Sequence, residues 1–470
     1  MPVGNLRFVP RRHERGRERP ADGPRGPRRW RIAALLAMAV GLTATSVAIG
    51  ADGGPDRTGR DAPVLAADMS AERLAAGDLG RGIDALHRHL REQPKDATGW
   101  AGLGAAYVEQ ARTSGDPTLY PRAEKAFGRS LRLRPAAEND AALSGRAALA
   151  AARHDFAAAL SQADRALRVN PYSERALCSR VDALVELGRY DEAWRAVELA
   201  DRRRPGIPAF TRYAYVRELR GDAKGARRVL LRALESASAP PDVAYVATSL
   251  GHLAWSQGQY GRARSHYATA LRADPGYVPA REGRGRAYAA EGDTKRALGD
   301  LEEVVRRYPL PGQLAALGEL HEAAGRRERA EEQYGLVRTW TRLARAHGVA
   351  TDLESALVEA DHGDAAGALK AARAEWSRRE SVHTADALAW ALHANGEDRQ
   401  ALKYAKKATA PEPGYRNASF LFHRGMIEHA LGDARAARRH LRAALDLNAG
   451  FSPTGAREAR SVLNRIGGTS

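Results

Sequence analysis

Cysteine is nearly absent: Cys178 is the only one in 470 residues. One thiol forms no internal disulfide, so a folded domain here must be held by packing. Aromatics make up only 6%, and β-branched runs are rare, which argues against a sheet assembled from consecutive strands. The enzyme signatures are missing as well. His321-Glu322 begins a zinc-protease-like pair, but position 325 is glycine, so no second ligand follows at helical spacing. His87 and His89 are two apart and His423 and His429 six apart, both poor spacings for joint ligation on a helix. Gly102-Leu103-Gly104 and Gly283-Arg284-Gly285 lack the Lys-Ser/Thr or third glycine of a phosphate loop. No catalytic set, metal site, cofactor or small-molecule substrate is expected.

What is present is a period. Pro94, Pro135, Pro171, Pro205, Pro241, Pro275, Pro309 and Pro413 recur mostly at 34 to 36 residues, and the long gap after Pro309 spans close to three more units. Between prolines the grammar repeats. In one unit Gly285 and Tyr288 sit on a first helix, Gly292-Asp293 breaks it, and Ala297, Leu301 and Val304 line a second helix ending at Pro309. Spacings of three and four put these residues on one buried stripe of each helix. Glycine suits the turn because it adopts left-handed conformations cheaply, and proline cannot donate the next helical hydrogen bond. Such repetition predicts an all-α superhelical solenoid of about eleven hairpins, each contacting its neighbours.

The pattern resembles the tetratricopeptide repeat. Trp100, Leu103-Gly104 and Tyr107 match that family's first helix, and Ala123, Phe127 and Pro135 its second, after an insertion around residues 114–121. Some units depart from it: Arg281 and Arg284 occupy usually apolar slots, Arg146, Arg180 and Arg424 precede the small-residue slot, and the unit from Thr351 to Glu380 ends without proline. The expected organisation is a solenoid over 63–450 and a capping helix and tail over 451–470.

The first sixty residues differ. Residues 1–31 carry ten arginines against three acids and read as a basic, disordered cytoplasmic tail. Residues 32–50, IAALLAMAVGLTATSVAIG, hold no charge. As a helix they would be about 30 Å long, the thickness of a bilayer core. They are expected to form a transmembrane helix or signal-anchor, followed by a flexible linker over 51–62. The one-sided arginine cluster orients the solenoid outside the cytoplasmic membrane. Cleavage near Gly50, giving a secreted protein, is the alternative.

The resemblance implies that first helices line a groove for protein or peptide partners. Its slots fall on Asp182, Thr248, His252, Trp255, Glu282, Arg286, Asp386, Trp390, His393, Met426 and His429. The functional expectation is a membrane-tethered interaction scaffold with no specific nucleic-acid site. The alternative is a cytoplasmic regulator whose basic arm contacts nucleic acid. Large aromatics in helical stripes are more often packing residues, so Trp255 and Trp390 carry both readings.

Overall fold

The computed structural model describes residues 79–467, apart from Pro411. The expectations for the basic tail, the apolar segment and the linker, and the start of the solenoid, lie outside the described residues. Among the described residues no helix is long and apolar enough to cross a membrane.

Twenty-two α-helices and two short 3-10 turns follow one another, with no strand among the described residues. Helix Leu79–Glu92 comes first, ten antiparallel hairpins follow from Ala97–Ser114 and Tyr120–Leu133 to Ala418–Ala430 and Ala434–Leu447, and Gly455–Gly467 packs on the last pair. The expected insertion is a 3-10 turn, Pro117–Leu119, entered from Gly115 at φ 68°. Each first helix touches its own second helix and the next first helix, whereas second helices make no comparable contact with one another. First helices therefore lie on the inner side of the curve and second helices on the outer.

The repeat interval is set by an interlock of large and absent side chains. Phe127, fully buried, fits between Gly104 of its own hairpin and Gly145 of the next; a Cβ at Gly104 would stand 2.6 Å from its ring. Tyr267 is held in the same way between Gly251 and Gly283, and Tyr334 lies against Gly318. Rings packed on bare backbone let neighbouring helices approach closely and fill the interior to crystal-like density. The irregular unit is compensated locally. Arg284 donates two hydrogen bonds of 2.7 Å to Asp300 on the second helix, and Arg281 approaches the same carboxylate at 3.7 Å. An ion pair thus stands where most units place apolar contact.

The solenoid also closes on itself, which the sequence period does not announce. Residues about 190 apart meet along a seam. Tyr190 Oη accepts a hydrogen bond from the Val382 amide at 2.8 Å. The Asn448 side chain donates to Trp255 O at 2.9 Å and accepts from Tyr260 Oη at 2.6 Å. Arg379, 3% exposed, bridges Glu186 on one side of the seam and Glu375 on the other. The turns between first and second helices make the contact: a Cβ at Gly221 or Gly258 would lie 2.8 Å from Gly414 O or Leu447 O, and Gly188 abuts Glu380 O more tightly still. Turn glycines 292, 325, 396 and 432, beyond the seam, face open space. At the equivalent turn of an earlier unit stands His154, with φ 60°, a left-handed conformation uncommon for a residue with a side chain. Its Nδ1 donates to Ala350 O across the seam at 2.7 Å. The missing proline at the end of the 351–380 unit fits here, because that chain end lies in the seam.

Candidate functional site

The inner layer is built by first helices, and their inward side chains recur six and three residues before each turn glycine. Six before lie Asp182, His252, Arg286, Trp390 and Met426; three before lie Trp255, His393 and His429. The structure divides the eleven expected groove residues into two sets.

Five are buried and engaged by protein. Asp182 receives a bidentate pair of hydrogen bonds from Arg212, at 2.9 and 2.8 Å. Thr248 donates to Ala244 O in its own helix. Asp386 accepts from His423 Nδ1 at 2.9 Å. Trp390 stacks on His423 with centroids 4.2 Å apart, and its Nε1 donates to Asp361 at 2.6 Å. Met426 and Trp390 share one core with Phe422 and Phe451. At these five positions the side chains are enclosed by protein, and Trp390 and Met426 lie in the core shared by the last two hairpins and the cap.

Six are half-buried. Arg286 pairs with Glu282 at 2.9 Å, and Gln313 of the next hairpin donates to that glutamate at 2.6 Å. His252 Nδ1 lies 3.0 Å from Tyr267 Oη. His393 lies against the Asp398 carboxylate. Trp255 keeps its indole N–H unpartnered. His429 retains partial exposure near the end of its helix.

Sequence reasoning passed over several ionisable groups on this face. Glu218 and Glu319 sit three and six before turn glycines Gly221 and Gly325, in the same slots as Trp255 and Arg286, so counting back from the glycines finds them. Burial pushes each carboxyl up to about 7. Glu218 is 7% exposed and accepts from Ser256 Oγ at 3.0 Å, while Glu319 also faces the like charge of Asp361. Burial pulls His252 and His383 down to about 4. His423 is also penalised by burial, but the Asp386 carboxylate outweighs this and raises it. Removing charge from water disfavours the ionised form unless an opposite charge stands close, and the two outcomes here follow that rule. Among the described residues, no cluster of three or more His, Cys, Asp or Glu has the geometry to hold a metal ion.

Stacked antiparallel hairpins with polar side chains at fixed slots of the inner helices define a helical-repeat protein. Residues 248–310 match the family model of the tetratricopeptide repeat. Solved structures similar to it include a thermophilic tetratricopeptide-repeat protein of Thermus thermophilus, 22% identical over 40% of this chain and 98% of that one, with a TM-score of 0.35. A tetratricopeptide-repeat protein of Parabacteroides merdae is 18% identical over 55% of this chain and 98% of its own, with a TM-score of 0.32. The human IFIT1 dimer with PPP-AAAA is 12% identical over 80% and 88%, with a TM-score of 0.44. No curated protein matches the sequence.

Proposed function

We propose that this protein is a protein–protein interaction scaffold, held outside the cytoplasmic membrane by residues 32–50. The observation that carries the scaffold reading is the row of half-buried polar groups on consecutive inner helices: His252, Trp255, Glu282 and Arg286 on two neighbouring hairpins, His393 and His429 on two others. Such a row offers a polypeptide directional contacts at repeat spacing, with an unpaired indole donor among them. The tether reading rests on the uncharged stretch before Asp52 and the arginine cluster on its other flank.

The scaffold test captures partners with the full chain and compares Glu282→Ala with Arg286→Ala. Both lie in one half-buried pair, so the unfolding temperature of each variant is measured beside retention. Partner retention falling while the unfolding temperature holds is the expected result; retention unchanged in both variants rejects the inner face as the working surface. For the tether, a reporter fused after Ser470 should be active only outside the membrane. Activity confined to the cytoplasm would reject the exported topology and leave the scaffold reading standing.

A further inference from the structure

The two helix layers carry opposite charge. In the ten hairpins the first helices hold ten Lys and Arg against sixteen Asp and Glu, a net −6, whereas the second helices hold thirty-six against sixteen, a net +20. Four second helices concentrate this excess: Ala223–Ser236, Tyr260–Ala273, Asp398–Ala408 and Ala434–Leu447 together carry fifteen Lys and Arg against three acids.

In sequence these helices form two pairs far apart. The seam joins the pairs. Leu447 O, at the end of one helix, faces Gly258 at the entrance of another, and Gly414, in the loop after Asp398–Ala408, faces Gly221 at the entrance of Ala223–Ser236. The hydrogen bonds among Tyr260, Asn448, Gly450 and Trp255 fix that junction. One cationic wall therefore runs across both turns of the superhelix. Thirteen of its fifteen cationic side chains are exposed, and among the described residues only Arg264 and Lys407 pair with a carboxylate. Arg435, Arg438, Arg439 and Arg442 also line an open depression of about 490 Å³. Elsewhere on the surface arginines are commonly matched to acids, as in Arg189 with Glu192, so the unmatched wall is a local feature.

We propose that this wall docks an acidic, extended polypeptide segment of a partner protein. Eleven of its fifteen cations are arginine, whose planar fork binds carboxylates through two hydrogen bonds. Curvature selects among anions. The wall lies on the outer, convex side, where a rigid duplex or a flat bilayer would meet it only along a line, whereas a flexible acidic chain follows the surface. The wall presents no large exposed hydrophobic side chain, which disfavours base stacking and insertion between lipids. The proposal rests on reading this chain as a protein-binding scaffold, but it uses a different surface from the inner face.

The test measures binding of a fluorescent polyglutamate peptide to the full-length protein in neutral detergent. Parallel arms use duplex DNA and micelles doped with phosphatidylglycerol. The wall variants are R435E/R439E/R442E and, across the seam, R227E/R228E/R232E. The control, R122E/K125E/R132E, makes the same charge change on a cationic second helix outside the wall. All nine side chains are exposed, and an unchanged unfolding temperature verifies each fold. Each wall variant should weaken polyglutamate binding by about tenfold or more and the control by less than about twofold, since screened surface charges act mainly over about 8 Å. Equal losses in wall and control variants would reduce the effect to net charge and overturn the proposal. So would an absence of polyglutamate binding, or tighter wall-dependent binding of DNA or lipid. Failure of the inner-face reading leaves this measurement untouched, because neither Glu282 nor Arg286 is altered in it.

Discussion

At the scale of single residues, glycine and burial govern what substitutions do. Gly283 and Gly299 lie on neighbouring helices of one hairpin, yet a Cβ at Gly283 runs into the Tyr267 ring while one at Gly299 meets nothing within 4 Å. Gly283→Leu should therefore destabilise by about 1–3 kcal/mol through overpacking. Gly299→Ala, in an exposed helix interior, should stabilise by roughly 0.5–1 kcal/mol. Thermal unfolding of the two variants checks the pair, and equal shifts would contradict the interlock. Glu218 gives a pH signature. Its folded pKa of about 7 lies above the ordinary value of 4.5, so the folded state holds the proton more tightly. The resulting stabilisation is complete below pH 4.5 and is lost as pH rises through 7. Glu218→Gln should thus be close to neutral at pH 4.5 and gain on the order of 3 kcal/mol at pH 8, the wild type alone bearing an ionised buried group there. A gain independent of pH would disprove it. These residues were only partly legible in the sequence. Gly285 reads as the tight glycine because it occupies the family slot, but its nearest neighbour, Leu301, would lie at 3.1 Å, and Gly283 is the tighter position. Which aromatic leans on which glycine depends on the next hairpin, and no single unit displays that.

At the scale of elements, the hairpins follow from local chemistry and the seam does not. Helix boundaries track signals visible in the chain: Asp222 and Asp293 accept from the amides of Gly225 and Arg296 to cap second helices, and glycines with positive φ end most first helices. The contacts of Arg379 join residues 193 apart, and spacing says nothing about them. The inner slots could be named in advance, but the fate of Trp390 and Asp386 could not. Their enclosure comes from the flanking hairpins, through Asp361, Phe422 and His423, and from the core that Trp390 shares with the cap. Arg379 allows a direct test of the seam. Arg379→Ala removes the cation shared by two buried carboxylates, Glu186 and Glu375, of which Glu375 keeps Arg378, and should cost up to about 3–5 kcal/mol. Replacing all three by apolar residues of similar size should recover most of that loss. If the triple variant melts as low as the single one, burial of the charges is not the cause.

At the scale of the whole described molecule, closure changes how stability is shared. A solenoid with neighbour contacts alone responds to truncation only near the cut. Here the turns at 188, 221 and 258 are covered by residues near 380, 414 and 447. A chain ending at residue 378 should therefore lose hydrogen-exchange protection at the 188 and 258 turns as well as at its new end. Protection lost only beside the cut would mean the seam carries no stability. The seam also imposes an order in time. At roughly 5–20 residues per second of synthesis, the partner of Glu186 reaches it about 10–40 s later. Throughout that interval the first turn has helices but lacks its neighbour, and its buried carboxylate has no Arg379. Closing so long a loop carries an entropic cost that grows slowly with length, roughly as (3/2)RT ln n, but must be met before any contact repays it. The early repeats of this chain complete their packing only when the late ones arrive.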